Sequence, residues 1–415
     1  MKRTVLTLLF LPLFATLAVI AQQAPVPVEI DKTAPVDDFK PSALNQPGKR
    51  YPEVNSQKRV RTTLRAPNAQ TVVLDLGGVR YPMTKGSDGV WTVVSNAQDE
   101  GFHYYQLIVD GVSIPDPGTL SFYGSSRWSS GVEIPAQDGD FYAMKNVPHG
   151  QMRETHFFSK IANATLQAYV YTPPDYEKGS KRYPVLYLQH GAGEDEHGWG
   201  GQGRAGLIMD NLIAEGKAKP FIIVIGNSSI PGTVQGGPGG PPPAGGAARG
   251  PAPAGAPPAA QPGRGAPGAA GGRGPGAMSN TPFEHVLIEE MVPFIDANFR
   301  TVADQPHRAL AGLSMGGMIT RGITVAHADK FSHIGIFSGG SIQPSDVKDM
   351  ADFRKKVKLV FVSYGSREPG SVNGKATAED LKQAKVNSVF YESPQTAHEW
   401  QSWRRSLHEF AQLLF

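Results

Sequence analysis

From Tyr183 to its end the chain alternates two kinds of apolar pattern, and that alternation is what most limits its fold. "YPVLYLQHG" and "PFIIVIGN" are apolar at nearly every position, as strands buried on both faces of a parallel sheet must be. "RALAGL", "HIGIFSG", "KLVFVSYG" and "VNSVFYE" supply four more strands. Between and after them lie stretches of helical spacing. One is "EHVLIEEMVPFIDANF", in which Pro293 predicts a local break; another is the closing "HEWQSWRRSLHEFAQLLF". Strand and helix in alternation predict an open, mostly parallel sheet with helices on both faces. Its functional residues should lie at the carboxyl ends of the strands.

The first half reads differently. "VRTTLRAP", "TVVLDLGG", "VWTVVSN" and "HYYQLIVDG" have period two, are rich in β-branched and aromatic residues, and end at turn residues. They predict a small all-β sandwich over residues 53–140, ahead of an α/β domain at 141–415. The sandwich stretch resembles the early-set immunoglobulin-like domains found beside glycogen-branching enzymes and related carbohydrate-binding modules. That resemblance implies that Trp91, Tyr104, Tyr105 and Trp128 could stack on sugar rings. Residue chemistry favours the plainer expectation that strand aromatics form the sandwich core.

Three segments fit neither pattern. Lys2 and Arg3 followed by the apolar run Val5–Ile20 predict an export signal over residues 1–21, and hence a periplasmic or extracellular protein. Residues 22–52 are rich in proline and polar groups and predict an extended linker. Residues 231–277 are almost wholly Gly, Pro and Ala, too poor in apolar surface to offset the entropy of ordering, and predict a disordered insertion. The chain has no cysteine, which excludes disulfides, thiolate metal sites and thiol nucleophiles. A formal charge of +3, partly in the leader, points to neither nucleic acid nor an acidic membrane surface.

"RALAGLSMGG" contains a Gly-x-Ser-x-Gly centred on Ser314. With 48 glycines in 415 residues, the bare pattern should occur by chance in roughly one such chain in three, so context must decide. Here an apolar strand precedes the serine and a helical stretch follows it, as a nucleophile turn requires. Gly312 and Gly316 then sit where the turn leaves no room for a Cβ. The acid and the histidine should follow in that order. Glu368 lies just past the carboxyl end of "KLVFVSYG", the second strand after the serine's. His398 follows the last strand through a short loop and precedes the last helix. The oxyanion donors should be the backbone N–H groups of Met315, next to the serine, and of Ala192, in the loop after "YLQHG". His190 is expected to pin that loop. Asp195, Glu196 and His197 are adjacent without converging ligand spacing, so no metal is expected. Trp199, Trp400 and Trp403 are candidates to line an acyl pocket.

Residues 147–415 resemble the esterase D and feruloyl esterase family of α/β-hydrolases. The resemblance rests on "YVYTPPDYEKGSKRYPVLYLQHGAGEDEHGW", "IMDNLIAEGKAKPFIIVIGN", "ALAGLSMGG" and "TAHEWQSWRRSLHEF". It implies an α/β-hydrolase fold and a cofactor-free serine esterase with Ser314, Glu368 and His398 as its triad. The family's acid follows a Gly-x-x-acid turn, here Gly365-Ser366-Arg367-Glu368. Aspartate is more usual at that place. A front domain of this kind implies acetyl or feruloyl esters of a cell-wall polysaccharide such as xylan as substrate. A siderophore trilactone, sugar acyl transfer, and a non-catalytic carbohydrate-binding role are the alternatives.

Overall fold

A computed structural model of the protein describes residues 29–230 and 281–415. The expected leader (1–21) and insertion (231–277) lie outside the described residues. Among those residues, no helix is long and apolar enough to cross a membrane.

The α/β part is built on one eight-stranded sheet. Its strands are β1 (Gln151–Ser159), β2 (Ala164–Thr172), β3 (Val185–Gln189), β4 (Ile222–Gly226), β5 (Arg308–Leu313), β6 (His333–Phe337), β7 (Leu359–Gly365) and β8 (Ser388–Ser393). They lie in the order β1-β2-β4-β3-β5-β6-β7-β8. β1 and β2 are antiparallel to their neighbours, and β3 to β8 run parallel. Every residue of β3 to β7 is buried, which is why their sequences are apolar without alternation. The period of two instead divides each strand between two cores. Leu186, Leu188, Ile223 and Ile225 face Trp199, Trp400 and Phe410, whereas Val185, Tyr187, Ile222 and Val224 face Phe283, Leu287 and Ile295. Pairing aligns Gln189 with Gly312, Phe337 with Ser363, and Gly365 with Ser393. The loops after β3, β5, β6, β7 and β8 therefore gather at one end of the sheet.

The break predicted at Pro293 takes the form of a widened turn. The helical segment Pro282–Asn298 continues through it, but Val286–Met291 is a π-helix. Proline has no N–H to donate and its ring crowds the carbonyl four residues back, so the ladder there cannot stay regular.

Ahead of this sheet sits an all-β sandwich of one five-stranded and one six-stranded sheet. Trp91 and Tyr105 belong to its core with Leu74, Leu107 and Val132, whereas Trp128 is exposed. One expectation is corrected here. Residues 29–52 are not a free linker: Lys40–Pro41 pairs with Glu53–Val54, and the buried Arg59 side chain bonds the Asp31 and Thr33 carbonyl oxygens. Leu44 is buried in the same core cluster as Phe102 and Tyr142. Composition reports how little a segment buries by itself, not what a distant strand offers its backbone.

Nor are the two domains independent. Leu44, Phe102 and Tyr142 of the front half share one continuous core with Trp199, Trp400 and Trp403. The closing helix Trp400–Ala411 carries Arg404, fully buried, whose guanidinium bonds both oxygens of Glu133 at 2.7 and 3.1 Å. It lies 4.4 Å from the Tyr142 ring centroid. Burial alone would push the Glu133 carboxyl up, but Arg404, with Arg204 behind it, holds it below the usual carboxylate range. Arg404→Met would leave a buried carboxylate short of its main partner. The expected cost is about 3–5 kcal/mol in urea unfolding. A loss under about 1 kcal/mol would show that water reaches Glu133.

Candidate active site

Ser314 ends β5 and begins the helix Met315–Ala326, at φ 51° and ψ −117°, a backbone conformation that costs a side-chain-bearing residue about 1–3 kcal/mol. The surroundings hold it there. Its N–H donates to Phe337 O at 2.7 Å. A Cβ at Gly316 would lie 2.5 Å from His190 O, and one at Gly312 would lie 2.5 Å from Gly316 C. The glycines thus let the helix start press against the end of β3.

His398, in the loop after β8, places Nε2 2.9 Å from Ser314 Oγ and Nδ1 2.8 Å from Glu368 Oε2. A carboxylate only accepts, so Nδ1 carries the proton and Nε2 is left to accept from the Ser314 hydroxyl. The second Glu368 oxygen accepts from Gly365 N–H and from the Ser338 hydroxyl, both at 2.7 Å. Ser338 in turn accepts from Trp403 Nε1–H at 3.1 Å, and the Trp403 ring stands edge-on to His398 at 5.1 Å. The Glu368 side chain is 8% exposed and that of His398 38%. The carboxylate is shielded and the imidazole can reach solvent. Ser314, Glu368 and His398, far apart in sequence, are therefore brought into one hydrogen-bonded chain.

The loop after β3 lies beside the serine, since a Cβ at Gly191 would come within 3.5 Å of Ser314 Cβ. Among the described residues, no protein acceptor takes the Met315 or Ala192 N–H. His190 is fully buried; its Nε2 accepts from Ser228 N–H at 3.0 Å, so Nδ1 must donate to Gly191 O at 2.8 Å. Burial lowers its pKa, which keeps the ring neutral and suits that tautomer. Asp195, Glu196 and His197 are closer together than their adjacency in sequence suggested, with one ligand atom of each within 4.8 Å of the others. Asp195 and His197 face each other at 3.0 Å, and the His197 ring lies 4.7 Å from Tyr169.

The acyl-pocket expectation for the three tryptophans is corrected. Trp199 is 0% exposed and donates to Gln189 O, Trp400 is 2% exposed and packs edge-on against it, and Trp403 is 6% exposed. Trp199, in the loop after β3, and the two indoles on the inner face of the closing helix are all packed into one core and have no free face to offer. Three contributors had no role at this site in the sequence reading. Ser338, the first residue after β6, was signalled only by its place at a strand end. Glu194 and Tyr104 meet across the domain boundary, which no local pattern reports.

Glu194 is buried with Oε2 3.2 Å from Gly191 N and Oε1 3.4 Å from the Tyr104 hydroxyl. Burial pushes its carboxyl up from 4.5 to about 7. A raised folded-state pKa means that the stability it contributes is fully present below pH 4.5 and lost as pH rises through 7. Glu194→Gln should remove that loss. Its unfolding free energy relative to the parent is expected to rise by on the order of 3 kcal/mol between pH 4 and pH 8. A constant difference between the two proteins across that range would contradict it.

The strand order and a strained serine at a strand-to-helix turn define an α/β-hydrolase. Residues 159–229 and 266–413, more than half of the chain, match the Esterase family, and the chain belongs to that family of carboxylic ester hydrolases. It is 41% identical over 400 residues to an endo-1,4-beta-xylanase/feruloyl esterase of Xylanibacter ruminicola, covering 93% of this chain and 49% of that protein. The chain thus spans about half the length of that relative. It is 22% identical over 278 residues to endo-1,4-beta-xylanase Y of Acetivibrio thermocellus, covering 60% of this chain and 22% of that one. Among solved structures, the enterobactin esterase of Shigella flexneri superposes with a TM-score of 0.56 at 15% identity, covering 86% of this chain and 94% of that one. That likeness shows a shared fold.

Proposed function

We propose that the protein hydrolyses acetyl or feruloyl esters of a plant cell-wall polysaccharide such as xylan, through a Ser314–His398–Glu368 triad. The observation that carries the chemistry is the unbroken chain from Ser314 Oγ through both nitrogens of His398 to Glu368. In this reading His398 takes the Ser314 proton as the oxygen attacks the ester carbonyl. Glu368 steadies the imidazolium that forms, and the Met315 and Ala192 N–H groups hold the tetrahedral oxyanion. His398 then returns the proton to the leaving alcohol, and water repeats the sequence on the acyl-enzyme. The substrate class is supported by the 41% identical xylanase/feruloyl esterase.

The test is side-by-side product analysis on acetylated xylan, feruloylated arabinoxylan and a catecholate trilactone. Release of acetate or ferulate, with kcat/KM at least about tenfold above the trilactone, is the expected result. Preferential opening of the trilactone overturns the substrate assignment while leaving the chemistry in place.

A further inference from the structure

We infer that the β-sandwich positions the oxyanion turn, with Tyr104 and Glu194 as positioning residues for ester hydrolysis. This rests on the proposed reading of Ser314 as nucleophile and Ala192 N–H as an oxyanion donor.

Residues Gly191 to Glu194 form a four-residue turn, closed by Glu194 N–H donating to Gly191 O at 3.3 Å. Gly193, its third residue, has φ +75°, as a type II turn requires. Ala192, the second residue, keeps its N–H free of protein acceptors. The direction of that N–H is set by whatever fixes the turn. The α/β domain supplies one anchor, His190 Nδ1–H to Gly191 O.

The other anchors come from the sandwich. Ser126, in the hairpin between Ser121–Gly124 and Arg127–Ile134, donates its backbone N–H to Gly193 O at 2.7 Å. The fit is close: a Cβ at Gly193 would stand 3.0 Å from Ser126 N. Tyr104, on the strand Gly101–Val109, brings its hydroxyl to Glu194, and Glu194 folds back to accept from Gly191 N–H. The same hydroxyl lies 3.4 Å from Trp400 Nε1 and within hydrogen-bond reach of Gln202 Nε2. Burial raises the Tyr104 pKa, so the phenol stays a donor. Among the described residues Glu194 has no cationic partner within salt-bridge distance. It is a buried acid whose hydrogen-bonding neighbours are all neutral: Gly191 N–H on the turn, the Tyr104 hydroxyl on the sandwich and the Trp400 indole of the closing helix.

Oxyanion charge develops only in the transition state, so a displaced turn should lower kcat and leave KM nearly unchanged. The experiment uses the full chain at one fixed pH, with p-nitrophenyl acetate as substrate and an aryl trifluoromethyl ketone as tetrahedral analogue. Glu194→Ala is expected to lower kcat by roughly 10–100-fold, with KM within about threefold. Tyr104→Phe should lose roughly 3–10-fold. Glu194→Gln, whose amide oxygen still accepts from Gly191 N–H, should recover most of the activity. Ketone inhibition should weaken in step with kcat. Parental kcat in both Glu194→Ala and Tyr104→Phe overturns the inference, as does a loss carried by KM alone. If Glu194→Ala fails to fold, Tyr104→Phe decides alone. Activity surviving in Ser314→Ala would instead overturn the nucleophile reading, so the two failures are distinguishable.

Discussion

Ser314→Ala is expected to lower ester turnover by about four to six orders of magnitude. The fold should survive, because the change removes one oxygen that, among the described residues, bonds only His398. The remaining rate should be that of binding and the oxyanion donors acting on water. Measured on p-nitrophenyl acetate, with the unfolding midpoint recorded in parallel, a loss smaller than about a hundredfold would rule out Ser314 as the nucleophile. The backbone supplies an independent check. At φ 51° the serine is held in a conformation that glycine adopts more easily, so Ser314→Gly should be inactive yet at least as stable as Ser314→Ala. Stability lower than that of the alanine variant would mean that the turn is not strained.

Glu368→Gln should cost about 10³–10⁴-fold in kcat, for a reason that lies in its donors. One oxygen of Glu368 accepts from two protein donors, Gly365 N–H and the Ser338 hydroxyl. A glutamine must keep its carbonyl there, because its NH2 cannot accept either bond. The NH2 then faces His398 Nδ1 and drives the imidazole into the other tautomer, with the proton on Nε2. That nitrogen can no longer accept the Ser314 proton. The contacts change little while the proton inventory is wrong, so kcat should fall with KM nearly intact. A variant within about tenfold of the parent would show that Glu368 is not the orienting acid. Asp346, Asp349 and Asp352 are no substitute for it: Asp346 pairs with Arg321, Asp352 with Lys356, and Asp349 caps the helix Met350–Lys356.

Much of the site was legible because its determinants are local. Continuous apolar runs mark strands buried on both faces, and the order strand, serine, helix marks the turn at Ser314. The approach of Glu368 and His398 to Ser314 was legible from their places just beyond β7 and β8, since parallel strands bring their carboxyl ends to one edge. Position alone, however, could not show how the acid is held. The Ser338–Trp403 support joins β6 to the closing helix, and nothing in either segment marks it. The same ignorance misled the reading of Trp199, Trp400 and Trp403, whose aromatic character suits an acyl pocket and a core equally well.

The sequence by itself determined the parallel sheet, the all-β part ahead of it, and which serine stands at the strand-to-helix turn. Those follow from periodicity and backbone sterics, which act over a few residues. Tertiary structure alone decided that residues 29–52 lie on the sandwich instead of swinging free. It also decided that the sandwich shares a core with the α/β domain through Phe102 and Trp400, and that Tyr104 and Ser126 reach the turn beside Ser314. Such contacts join residues about 70 to 300 positions apart. Their energy comes from desolvation and hydrogen bonding between surfaces that exist only once both domains have folded.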